Sequence, residues 1–224
     1  MVMVTGFVSF EKAIRELINL IVKNPSLHGL WINTLSYLEN CGARMIAACE
    51  HPTLVKEEML KHAAEEFRHA FYLKKQLSRI GESYEDYRQA HLLGAWSGYH
   101  YLNKLDIQAS RYLQSLGLTR PQIKQLAYLL VTYAIELRAG ELYPIYQSAL
   151  KHSQSKVQVQ SILLEEKEHL REMEEELNRI PASPVYIEVV CRFEAVLFGQ
   201  WLKTCQTDVD KMIYKDKSEL FGRF

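Results

Sequence analysis

The chain has 224 residues, 48% apolar and 24% charged, which suits one sizeable core, does not require two domains and excludes disorder. Its 27 basic and 27 acidic residues cancel, and the pI is near 7.1, so charge gives no reason to expect nucleic acid or an anionic membrane as partner. No run of about eighteen apolar residues occurs, and Met1 to Phe7 lacks a basic flank and a long apolar stretch, so neither a spanning helix nor a signal peptide is expected.

Glycine and proline fall mostly between stretches of helical apolar spacing. The first stretch, Ser9 to Lys23, repeats Phe10, Ala13, Ile14, Leu17, Ile18 and Ile21, and Asn24-Pro25-Ser26 is expected to end it. A second helix is expected from His28 to Glu50, stopping at His51-Pro52-Thr53, and a third from Leu54 to Ile80 with Gly81 as its cap. Residues 82–120 read as a long connection with a helix from Leu102 to Leu116. Thr119-Arg120-Pro121-Gln122 has the residues of a capped helix start. That helix should reach Leu150 and bend at Pro144. A further helix follows from Lys156 to Asn178, then a last one from Val185 to Thr204 and a charged tail. The layout is hairpin, long connection, hairpin, with flanking helices: an all-α, four-helix bundle with one crossover, in a single domain over residues 1–224.

Two Glu-x-x-His motifs stand on the second helix of each hairpin, Glu66 with His69 and Glu166 with His169. A separation of three puts both side chains on one helix face. Each motif has a glutamate on the preceding helix at matching height. The midpoint of Glu39 and Glu66 falls on Pro52-Thr53, and that of Glu136 and Glu166 falls beside His152-Ser153. Both partner glutamates sit among apolar residues, where a bare carboxylate would be costly. Four carboxylates neutralise two divalent cations. One glutamate from each of two helices plus Glu-x-x-His from each of the other two is a ligand set for paired iron or manganese. Glu141 rivals Glu136, since its midpoint with Glu166 also falls in the turn.

Glu65-Glu66-Phe67-Arg68-His69 resembles the acidic-E-x-R-H signature of the oxygenase and desaturase branch of the ferritin-like di-metal carboxylate superfamily. Glu165-Glu166-Lys167-Glu168-His169 is similar to it, with glutamate where arginine is usual. The resemblance spans His28 to Ile80 and Pro121 to Asn178. In that branch an Asp before the ligand glutamate holds a ligand histidine; here Glu65 and Glu165 stand in that place. The resemblance implies two iron ions, alternatively manganese, held by Glu39, Glu66, His69, Glu136, Glu166 and His169. It also implies an oxidoreductase that takes dioxygen or peroxide, a small and apolar organic substrate, and electrons from an external donor. A ferroxidase or peroxide-scavenging protein of rubrerythrin or ferritin type would use the same ligands. A metal-free helical interaction module is the reading from another class.

Among the remaining residues, His62, two turns before His69, can line the same face but is read as a hydrogen-bonded helix histidine, and Tyr37, Tyr133 and Tyr143, which can reach the metal site, are read as core residues with the hydroxyl satisfied. Glu65, Glu165, Glu168 and Glu174 to Glu176 suit a solvated face. Cys41, Cys49, Cys191 and Cys205 form no C-x-x-C pair, so free thiols of a cytoplasmic protein are expected and no rubredoxin centre. A homodimer is expected only as a common way to cover bundle faces.

Overall fold

A computed structural model describes residues 6–50 and 53–221, with side chains to Lys215. Among the described residues there are seven α-helices and no strand: α1 (Glu11–Ile21), α2 (Pro25–Cys49), α3 (Glu57–Leu77), α4 (Ala95–Ser115), α5 (Arg120–His152), α6 (Gln160–Asn178) and α7 (Ser183–Phe221). None of these helices is long and apolar enough to cross a membrane.

Several helix ends follow directly from local chemistry. Asn24 accepts a hydrogen bond from the Leu27 backbone N–H and Pro25 occupies the first turn, so Asn24-Pro25 opens α2 instead of merely closing α1. Gln122 accepts from the Thr119 backbone N–H at 2.9 Å, the expected start of α5. A short 3₁₀ turn, Ser78–Ile80, carries α3 to Gly81, whose φ of 76° is the left-handed cap. The expected stop at His51-Pro52 lies outside the described residues.

Two boundaries differ more. α4 begins at Ala95, about two turns early, because Gly94 turns the chain at φ 60° against Trp201 and Cys205. A Cβ on Gly94 would lie 2.6 Å from Cys205 Sγ, so only glycine fits there. The last helix does not stop at Thr204 but continues to Phe221. Its apolar face stays in contact with the core as far as Ile213, and charged residues continue the helix on its exposed sides.

α2 packs on α3, and α5 packs on α6, as two helical hairpins. α4 lies against α5 and α7, and α1 closes on α5. The main apolar core draws residues from all seven helices, with Trp31 stacked on Trp201 at 5.7 Å and both side chains fully buried. α5 is central: buried residues recur around its circumference, including Leu129, Tyr133, Glu136, Tyr143 and Tyr146. Between α5 and α6 the chain does not reverse tightly at His152-Ser153. Residues 155–159 run back along α5, with Val157 and Val159 buried and the Val159 N–H donating to Gln147 Oε1 at 2.9 Å.

Candidate metal centre

All six sequence-predicted ligands meet between α2, α3, α5 and α6. Glu66, Glu136 and Glu166 are 6%, 3% and 4% exposed, and His69 and His169 are 1% exposed. Glu39 is 12% exposed and faces the same space. His69 Nδ1 lies 3.1 Å from Glu166 Oε1, 3.8 Å from Glu66 Oε1 and 3.9 Å from Glu39 Oε2. His169 Nδ1 lies 3.4 Å from Glu66 Oε1, 3.6 Å from Glu136 Oε1 and 3.9 Å from Glu166 Oε2.

Glu141 is not part of this cluster. Its carboxylate accepts from Ser9 Oγ, from the Phe10 backbone N–H at 2.9 Å, and from Arg138, so it fastens the start of α1 to α5. Glu136 and Glu141 are five residues apart, which on a helix turns them to different faces.

The two histidines are oriented from outside. Glu165 on α6 accepts from His69 Nε2 at 2.7 Å, and Glu65 on α3 accepts from His169 Nε2 at 2.9 Å. A carboxylate accepts, so each Nε2 carries a proton and each ring turns its Nδ1 inward. Arg68 anchors Glu165 through two bonds, of 3.0 and 2.7 Å. Glu65 and Glu165 are therefore working parts of the site rather than members of a solvated face, and the longer side chain still reaches across to the neighbouring helix.

Two further residues belong here: Tyr143, read from the sequence as core, and His62, read as a hydrogen-bonded helix histidine. Tyr143 donates a hydrogen bond to Glu39 Oε1. His62, one turn before Glu66, places Nε2 3.1 Å from Glu136 Oε1. Their spacing from the ligands is the only sequence signal for either, at i−4 from Glu66 for His62 and i+7 from Glu136 for Tyr143.

Carboxylates this close cannot all ionise freely. Burial pushes Glu39 and Glu166 well above the usual carboxylate range, and neighbouring carboxylates push them further. Burial acts on Glu66 in the same direction, but hydrogen bonds from His62 and Glu39 and the charge of His69 and His62 outweigh it and bring it to about 2. For His62, burial opposes the charged form, yet Glu136 and Glu66 raise it to about 10.

The protein's own hydrogen bonding leaves the interior incomplete. Glu66 Oε1, His69 Nδ1, Glu136 Oε2, Glu166 Oε1 and His169 Nδ1 are buried with no hydrogen-bond partner. Buried polar atoms are normally satisfied, and five such atoms facing one space form a donor set that could hold a metal ion. All are hard oxygen or imidazole donors. Sets of four ligand atoms lie within 4.8 Å of one another in two groups: Glu39, Glu66, His69 and Glu166; and His62, Glu66, Glu136 and His169. These buried residues could hold metal ions.

Comparison of the chain with protein-family models, with curated proteins and with solved structures returns no match in any of the three.

A cavity of about 120 Å³ opens against the cluster. Its wall includes Glu39, Glu66, Glu136 and Glu166, and most of the remainder is apolar, with Leu35, Leu38, Val131, Ile135 and Leu142. The four cysteines form no disulfide; Cys49 touches the cavity wall, while Cys191 and Cys205 are buried away from it.

Proposed function

We propose that this chain is a ferritin-like di-metal carboxylate oxidoreductase that uses dioxygen to oxidise a small apolar organic substrate. The observation that carries the reading is the convergence of five buried, partnerless ligand atoms from two Glu-x-x-His motifs and Glu136. Glu39, Glu66, His69, Glu136, Glu166 and His169 would hold the pair. A bound pair of iron ions, or of manganese, supplies the redox chemistry by which dioxygen is reduced, with electrons returned by an external donor.

The protein's own contribution is positional. Glu65 and Glu165 fix the tautomer and tilt of the two imidazoles, and Tyr143 holds one oxygen of Glu39. The apolar wall built by Leu35, Leu38, Val131 and Ile135 favours a hydrocarbon portion of a substrate and keeps water scarce beside the reacting centre. That cavity is what favours substrate oxidation over a ferroxidase or peroxide-scavenging role, in which small inorganic species need no apolar chamber. A metal-free scaffold would gain nothing from burying four glutamates around empty ligand atoms.

Elemental analysis of protein purified without chelator tests the reading, with Glu66→Ala and His169→Ala alongside. About two iron or manganese per chain is expected, with loss of metal in both variants. Wild-type protein that stays empty after anaerobic loading with ferrous iron would sink the di-metal reading.

A further inference from the structure

The two halves of the centre are alike until one turn before the Glu-x-x-His motif. Glu65, Glu66 and His69 on α3 have Glu165, Glu166 and His169 as counterparts on α6. Four residues before the ligand glutamate the likeness ends: α3 carries His62 and α6 carries Ile162, both buried, at 2% and 1% exposure. The histidine faces the cluster. Its Nε2 lies 3.1 Å from Glu136 and 3.5 Å from Glu66, and its ring is 4.1 Å from that of His169. Its other nitrogen, Nδ1, has the Tyr128 hydroxyl 3.5 Å away. That repeats the plan of His69 and His169, with an outer nitrogen toward a polar neighbour and an inner one toward the carboxylates.

We infer that His62 is a seventh metal ligand, which makes the two metal positions chemically unlike. One position is bounded by Glu39, Glu66, Glu166 and a single imidazole, that of His69. The other has Glu66 and Glu136 with two imidazoles, those of His62 and His169. Ligand atoms on opposite sides of one ion stand roughly 4 Å apart, so the 4.8 Å span of each group needs only small side-chain adjustments to close. On binding, Nε2 of His62 would release its proton and coordinate, while Nδ1 would keep the proton it directs at the Tyr128 hydroxyl. Nitrogen-rich and oxygen-rich positions differ in affinity for a given ion. The pair therefore fills in two steps, and the inference rests on the di-metal reading above.

Titration of the full chain with cobalt(II), followed by visible absorption and by metal content after dialysis, separates the two ideas. The wild type should take up two ions in resolved steps. His62→Gln keeps a donor for Glu136 but supplies no imidazole. It should retain one ion and bind the other at least about 100-fold more weakly, beyond the usual effect of an outer partner. In His62→Ala, added imidazole should restore the second ion, an outcome that a purely hydrogen-bonding histidine would not produce. Circular dichroism checks that both variants fold. Two ions bound by His62→Gln with wild-type affinity would overturn the role of His62 and leave the di-metal reading standing. Wild-type protein that binds no cobalt would overturn both.

Discussion

At the scale of single residues, the cluster shows how much of a buried site depends on groups that never face its centre. His69 and His169 are useful as ligands only with their Nδ1 lone pairs turned inward, and Glu165 and Glu65 enforce this from the opposite helix at 2.7 and 2.9 Å. Removing either carboxylate frees the imidazole to rotate and to change tautomer. Glu165→Ala and Glu65→Ala should each weaken metal binding by about 10–100-fold, measured by competition with a chromophoric chelator. Glu175→Ala, on the exposed side of α6 where Glu175 pairs with Arg171, should leave it unchanged. The six inward-facing residues were legible in the sequence because motif spacing and helix register are properties of one chain segment. The cross-braces were open only to the resemblance, which sets Glu65 and Glu165 where an Asp would hold a ligand histidine. Whether Glu65 faces water or reaches His169 depends on the lateral placement of α3 against α6, which no periodicity encodes. His62 and Tyr143 stayed ambiguous for a related reason: an inward histidine reads equally well as a locally hydrogen-bonded helix residue, and an inward tyrosine as packing.

At the scale of elements, α5 serves two buried charged networks. Besides Glu136 it buries Arg138, whose guanidinium donates to Glu194 on α7 at 2.9 and 2.8 Å and to Glu141. Glu194 is fully buried and also accepts from the Tyr101 hydroxyl at 2.5 Å. Phe7, Phe10 and Phe198 surround the guanidinium. This network ties α1, α4, α5 and α7 together and explains why Glu141, a plausible ligand from its turn distance alone, serves a different face. Glu194→Ala leaves a buried arginine short of its main partner and should cost about 3–5 kcal/mol, read from denaturant unfolding. Metal bound per folded chain should not fall, since Glu194 touches no ligand. The element order and most helix starts followed from capping residues and apolar spacing. The lengths of α4 and α7 did not, because contacts of Gly94 with Trp201 and Cys205 set where α4 can begin, and core contacts out to Ile213 carry α7 past Thr204. The run of chain along residues 155–159 was equally invisible, being fixed by the side chain of Gln147 on another element.

At the scale of the whole molecule, the cluster gives stability a pH dependence that metal should reverse. In the metal-free protein His62 lies at about 10 against an ordinary 6.5, so its charged form stabilises the fold. That contribution is complete below about 6.5 and is lost as pH rises toward 10. Glu39 and Glu166, raised by burial and by neighbouring carboxylates, act in the same direction: their neutral forms suit the fold, and stability drains away as they ionise. Glu66, held at about 2, opposes them only in acid, where its contribution is present above 4.5 and lost as pH falls through 2. The metal-free protein should therefore unfold at progressively lower temperature from pH 6.5 to 10. Metal binding needs ionised carboxylates and neutral imidazoles, so it releases protons and strengthens as pH rises. Each site at a free metal concentration of one hundred times its dissociation constant adds about 2.7 kcal/mol. The gap in melting temperature between manganese-loaded and chelator-treated protein should thus widen from pH 6 to pH 9, a window spanning the titration of His62. Thermal unfolding followed by circular dichroism at each pH measures that gap. A gap of zero across the whole range would mean that the buried carboxylates hold only protons, and the helical scaffold reading would take over.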